Sequence, residues 1–200
     1  MPLLPYLNKD LIEAGCDEAG RGCLAGPVFA AAVILPQNYE NLLLNDSKKL
    51  SEKHRNILRE EIEKKALAWA VGWSDNQEID KMNILRASIK SMHRAIDKLN
   101  ISPEYILVDG NSFVPYKKIP FKTIIKGDGK YASIAAASIL AKTYRDDFMK
   151  GLHNKYPDYL WDKNKGYPTK AHRQAIINSG ISSFHRKSFR LLDEQMKINM

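Results

Sequence analysis

At 200 residues, 44% apolar content and a net charge of +8, the chain is long enough to bury a sizeable core, and one globular domain over 1–200 is expected. The longest apolar run, Leu24 to Leu35, has 12 residues and contains a proline, which excludes a transmembrane helix of roughly 18 or more apolar residues. Cys16 and Cys23 form no CxxC, which argues against zinc and a disulfide scaffold, and the start Met1-Pro2-Leu3-Leu4-Pro5 is not basic, so no signal peptide is expected and a soluble, cytoplasmic protein is.

The charge is unevenly divided. Residues 1–110 carry 14 Lys/Arg against 16 Asp/Glu, and residues 111–200 carry 17 against 7. A basic half suits a polyanionic partner such as nucleic acid, although composition alone equally suits a merely soluble basic protein.

In chain order, residues 11–16 read as a short strand that ends at Asp17-Glu18 and runs into Ala19-Gly20-Arg21-Gly22. A strand points adjacent side chains to opposite sides, so both carboxylates reach one site only if the chain bends there. Gly20 and Gly22 permit a bend and let backbone N–H groups approach a ligand closely. Acids beside exposed amides and a cation suit a metal and a phosphate, but a carboxylate pair before Gly-x-Gly is a weak signal alone. Val28 to Leu35 reads as a buried strand paired antiparallel with the first. A polar loop, Asp46 to Ser51, leads to a helix starting at Ser51 and running to Lys65. Leu67 to Trp73 is a third strand.

Ser74 or Asp75 then caps one helix with apolar residues at Ile79, Met82, Leu85, Ile89, Met92, Ile96 and Leu99, spaced to make one core-facing stripe. Arg86, Lys90, Arg94 and Lys98 form a row on its other face that either touches phosphates or is simply solvated. Tyr105 to Val108 is a strand ending in Asp109-Gly110, and Phe121 to Ile125 a strand ending in Lys126-Gly127-Asp128. Tyr131 to Lys150 is a helix with many small residues. A helix from about Thr169 to Asn178 and a helical tail from about Ser188 complete the chain. The later strand–helix–strand units add parallel strands, giving an α/β fold with a mixed five-stranded sheet flanked by helices and a C-terminal helical extension.

Three strand ends therefore carry acids: Asp17-Glu18, Asp109 and Asp128. Ligands of open α/β sheets bind beyond strand ends, and clustered carboxylates call for a divalent cation. All-oxygen ligation points to magnesium or manganese. Asp109-Gly110 alone reads as a plain turn; it is the three acid-bearing strand ends together that point to a site. His54 and His93 read as surface residues on helices, His172 and His185 as phosphate contacts rather than general bases, and Cys16 as a small core residue.

Taken together the motifs resemble ribonuclease HII: Asp17-Glu18-Ala19-Gly20-Arg21-Gly22 with Gly26-Pro27, Asp46-Ser47-Lys48-Lys49-Leu50, Val108-Asp109-Gly110, Lys126-Gly127-Asp128, Ala135 to Lys142 with Arg145-Asp146, Gly166-Tyr167-Pro168-Thr169 with His172, and His185-Arg186-Lys187-Ser188-Phe189. The sister family, ribonuclease HIII, usually has lysine where Arg21 stands and an added N-terminal domain. Ser182-Ser183-Phe184 departs from a frequent Thr-Pro ahead of His185. The resemblance implies a ribonuclease H-like fold, a core of about 11–150 with a substrate-binding region of about 151–200, and cleavage of RNA in RNA–DNA hybrids. It also implies incision on the 5′ side of single ribonucleotides in duplex DNA. By position, Asp17, Glu18, Asp109 and Asp128 would be the catalytic carboxylates holding two ions of Mn²⁺ or Mg²⁺. Gly20-Arg21-Gly22 would read the ribose 2′-OH, and Tyr167 would pack on the sugar at the RNA-to-DNA junction. Lys48 and Lys142 are further phosphate contacts. The residues Gln195 to Met200 lack the paired aromatics of a clamp-binding peptide, no partner chain is demanded, and a monomer is expected. A junction-resolving nuclease and a non-catalytic nucleic-acid binder are the competing classes.

Overall fold

The computed structural model describes residues 3–41, 43–44 and 50–192. Lys48, with the rest of Asp46 to Lys49, lies outside them, as does the segment considered for clamp binding. Five strands, β1 (Glu13–Ala19), β2 (Val28–Ile34), β3 (Ala68–Ser74), β4 (Tyr105–Asp109) and β5 (Phe121–Ile124), form one sheet in the order β3-β2-β1-β4-β5. The first three pair antiparallel, and β4 and β5 add parallel beyond β1. This is the mixed sheet expected from the sequence. β2 is buried at every position, which a strand tolerates when both faces of its sheet are covered.

Helices supply those covers. On one face α1 (Glu52–Lys65) and α4 (Ala132–Lys155) pack Leu58, Ile62, Ala136 and Leu140 onto Ala31 and Val33. On the other, α3 (Ile84–Asp97) packs Met92, Ala95 and Ile96 onto Ala30 and Ala32. Each large aliphatic side chain so buried contributes roughly 1.5–3 kcal/mol. The small residues of α4 let it lie flush on the sheet: a Cβ at Gly15 would stand 2.2 Å from the Ser133 carbonyl carbon.

Ser51 caps α1 as expected, its hydroxyl accepting from the His54 N–H at 3.2 Å. The stripe from Ile79 to Leu99 does not form one helix. It is divided into α2 (Asn76–Met82) and α3 at Asn83, whose φ is +70° and whose side chain caps α3 by accepting from the Arg86 N–H at 3.1 Å. Asp75, not Ser74, caps α2. The basic row is exposed, as a solvated face would be, with Arg86 and Lys98 exposed and Lys90 and Arg94 partly so, but three of its four cations already have partners within the protein. Lys90 and Arg94 both reach Glu78, at 2.7 and 2.8 Å, and Lys98 Nζ donates to the Val71 carbonyl at 3.0 Å.

Beyond α4 come α5 (Trp161–Asn164) and α6 (Lys170–Ser179). With Leu24, Ala25, Tyr159, Trp161, Ala175 and Ile176 they build a second core. Residues 188–192 are not helical, contrary to the expected tail. Their backbone is engaged elsewhere: the Ser188 N–H donates to Asp80 at 2.9 Å, and the Arg173 guanidinium takes the Leu191 carbonyl. No helix among the described residues is long and apolar enough to cross a membrane.

Candidate active site

Strand pairing sets the site. The parallel register places Cys16 opposite Val108, so the next residues, Asp17 and Asp109, leave adjacent strands at the same level. Asp128 arrives on a 3-10 turn over Gly127–Gly129, and that turn is tied down by the Gly127 N–H donating to Asp109 Oδ1 at 2.6 Å. Carboxylate oxygens of Asp17, Asp109 and Asp128 all lie within 4.8 Å of one another, with Asp17 and Asp128 buried. Burial, then the negative charges of Glu18 and Asp109, push the Asp17 carboxyl well above its ordinary range, while hydrogen bonds from Ser138 and the Glu18 N–H oppose this. Three acids so close destabilise one another unless positive charge joins them. Hard, all-oxygen donors at this spacing fit a divalent cation such as Mg²⁺ or Mn²⁺.

Glu18 follows Asp17 within β1, and its carboxylate meets Arg21 Nη1 at 3.1 Å. The chain then turns outward. Gly20 has φ +95°, and a Cβ there would stand 2.0 Å from Arg145 Nε; a Cβ at Gly22 would meet nothing within 4 Å. The fold therefore demands glycine at 20 and leaves room at 22. The loop is pinned from two sides: the Leu24 N–H donates to Gly166 O at 2.8 Å and the Gly26 N–H to Phe184 O at 2.9 Å.

Beneath the loop lie two arginines that the sequence reading did not single out, both fully buried. Arg186 donates from Nε to Gly26 O (2.9 Å), from Nη1 to Arg21 O (2.9 Å) and from Nη2 to Gly20 O (2.8 Å). Arg145 donates from Nε to Pro27 O (3.0 Å), from Nη1 to Lys165 O (2.8 Å) and from Nη2 to Ala25 O (3.2 Å). The one available signal was their place in the motif segments; nothing local distinguishes a buried arginine from one that meets phosphate.

Tyr167 is 37% exposed. Its ring stands 5.7 Å from the Arg145 guanidinium and 5.8 Å from Lys142 Nζ. Burial, followed by the neighbouring Cys23, raises its hydroxyl to about 12. Lys142 is held by both oxygens of Asp146, at 2.6 and 2.7 Å, so a phosphate would have to share it. His172 and His185, expected to contact phosphate, are instead fully buried and face each other, Nε2 to Nε2, at 3.2 Å. Their tautomers follow from their partners. His172 Nδ1 meets the Tyr167 carbonyl at 2.9 Å and must donate; His185 Nδ1 accepts the Ser182 N–H at 2.9 Å. His172 Nε2 is then the acceptor for both His185 and the Trp161 indole N–H, the latter at 3.0 Å. Cys16 is buried in the core as expected, its thiol raised by that burial.

A mixed sheet of this order with acids converging at the ends of β1 and β4 defines the ribonuclease H-like class of nucleases, and solved structures agree. The ribonuclease HII of Archaeoglobus fulgidus, described in a complex with PCNA, superposes with a TM-score of 0.76 at 28% identity, covering 94% of this chain and 100% of that one. The ribonuclease H2 of Pyrococcus horikoshii OT3 gives 0.74 at 25% identity, covering 90% and 94%. The family described as Ribonuclease HII matches residues 14–192. The ribonuclease HII of Bacteroides thetaiotaomicron is 66% identical over 98% of this chain and 99% of its own length. The chain belongs to the ribonuclease HII family; it is a ribonuclease H, a metal-dependent endonuclease.

Proposed function

We propose that the chain cleaves the RNA strand of RNA–DNA hybrids and incises on the 5′ side of a single ribonucleotide embedded in duplex DNA, leaving 5′-phosphate and 3′-hydroxyl ends. One observation carries this reading. The strand that delivers Asp17 to the carboxylate cluster continues directly into a loop with open space at Gly22 and a half-exposed Arg21. A 2′-OH is the group that separates RNA from DNA, and a glycine with room around it lets backbone groups come within hydrogen-bond reach of that hydroxyl.

Asp17, Glu18, Asp109 and Asp128 would hold two divalent ions, Mn²⁺ or Mg²⁺, and such ions would supply Lewis acidity for activating a water and for stabilising the leaving 3′-oxygen. Gly20, Arg21 and Gly22 orient the ribose and its phosphate. Tyr167 packs against the sugar at the junction, and Lys142 and Lys48 contact flanking phosphates. Residues 1–200 act as one domain, with about 11–150 as the catalytic core and about 151–200 adding basic surface for the duplex.

The test is a duplex with one ribonucleotide, incubated with Mg²⁺, with Mn²⁺ or with EDTA. Incision 5′ of the ribonucleotide in either metal, and none in EDTA, is expected. Equal cleavage of the all-DNA duplex would return the junction-resolving alternative, and undiminished activity in EDTA would remove the metal from the scheme.

A further inference from the structure

We infer that Arg186 is a positioning residue that sets ribose selectivity by aiming the amides of the Gly20–Gly22 loop outward, with Arg145 bracing the returning limb of that loop at Ala25 and Pro27. The inference rests on the reading of that loop as the sugar-recognition element and adds what holds it in a reading posture.

The argument is one of peptide geometry. Arg186 takes the carbonyls of Gly20 and Arg21 from beneath the loop. All peptide bonds in the described residues are trans, and a trans peptide points its N–H opposite to its C=O. The N–H groups sharing those two peptide planes belong to Arg21 and Gly22, so both are directed away from the guanidinium, toward the exposed side. Neither has a backbone acceptor among the described residues. Gly26 shows the same logic completed: Arg145 draws in the Ala25 carbonyl, and the opposite N–H, that of Gly26, reaches Phe184 O.

A planar fork with fixed donors is required for this. Six carbonyl contacts come from two guanidiniums, and the Arg145 side chain lies where any Cβ at Gly20 would fall. The positive charge beneath the loop also strengthens each carbonyl dipole directed at it, leaving the positive ends of those dipoles turned toward an incoming hydroxyl or phosphate oxygen. Arg145 ties the same unit to Lys165 O, two residues from Tyr167. Sugar recognition and junction packing thus share one buried support.

Lysine at either position keeps the charge and loses the fork. The experiment measures affinity of the wild type, Arg186→Lys and Arg145→Lys for two synthetic duplexes in EDTA at fixed salt, one with a single ribonucleotide and one all DNA, together with thermal unfolding. The wild type is expected to prefer the ribonucleotide duplex. Folded Arg186→Lys should lose about tenfold of that preference, the scale of one charge-assisted hydrogen bond, with all-DNA affinity unchanged because the charge is conserved. A general weakening of the fold would not separate the two duplexes. Undiminished preference in both folded variants overturns the inference while leaving the sugar-reading intact. Equal affinity of the wild type for the two duplexes overturns the sugar-reading and the inference with it. If Arg186→Lys fails to fold, Arg145→Lys decides, and failure of both to fold assigns the arginines to stability alone and overturns the inference.

Discussion

Gly20 and Gly22 stand two residues apart and answer to different constraints, which makes them separable by substitution. Alanine at 20 meets both a left-handed backbone and the Arg145 side chain, and should cost about 1–3 kcal/mol in a denaturant melt. Alanine at 22 meets open space, so the melt should move by no more than ~0.5 kcal/mol while incision at a ribonucleotide falls about tenfold or more as the methyl occupies the ligand's approach. Asp109→Asn keeps an oxygen able to accept the Gly127 N–H, so the turn bearing Asp128 should hold and the unfolding midpoint should stay near wild type. Cleavage should nevertheless drop by about a hundredfold or more, since even outer-shell partners of a metal are worth roughly 10–100-fold; a gel assay at saturating Mn²⁺ checks this. The three aspartates were legible because each closes an apolar run, and strand ends are where such sheets present ligands. Arg145, Arg186, His172 and His185 were not. In a basic half every cation looks like a phosphate ligand; the arginines find carbonyls more than 100 residues away, as with Arg186 and Gly20 or Arg145 and Pro27, and the histidines are enclosed by each other and by the Trp161 and Tyr159 rings.

At the scale of elements, the break between α2 and α3 went unread because apolar spacing continues through it: Ile79 and Ala87 join one cluster with Val28. Asn83 both ends one helix and caps the next, so Asn83→Ala should cost about 1–2 kcal/mol through the lost cap and the unfavourable φ. Asn83→Gly relieves the backbone and should lose only a few tenths of a kcal/mol; urea midpoints of the two variants give the comparison. The antiparallel β1–β2 pair, by contrast, was readable from the short turn between them, whereas strand order was not: β3 returns antiparallel to β2 despite the intervening α1, and β5 pairs parallel with β4 with no helix between. Residues 188–192 misled for the opposite reason. Their composition suits a helix, but Asp80 and Arg173 offer their backbone better partners.

Across the whole molecule, the second core links the loop, Tyr167 and the His172–His185 pair, and this gives stability a pH dependence. Burial lowers His185 to about 4, and also lowers His172, from an ordinary value of 6.5. At this pair the unfolded chain binds more protons than the folded one between these values, so the pair's contribution to stability is full above about pH 6.5 and declines as pH falls toward 4. For His185 alone the full loss is about 3 kcal/mol. Thermal unfolding from pH 8 to 4.5 should show this decline, and His185→Gln should flatten it.

The pairing of β1 with β4 has a kinetic consequence. Asp17 and Asp109 are 92 residues apart in sequence, the separation also of the register pair Cys16 and Val108, and they meet only when β4 docks. Closing so long a loop is slow relative to forming the local hairpin of β1 and β2. During refolding, secondary structure should therefore be largely recovered before the chain can cut anything. A partly folded molecule with a finished hairpin and a formed α4 is still catalytically silent, and activity marks the completion of folding.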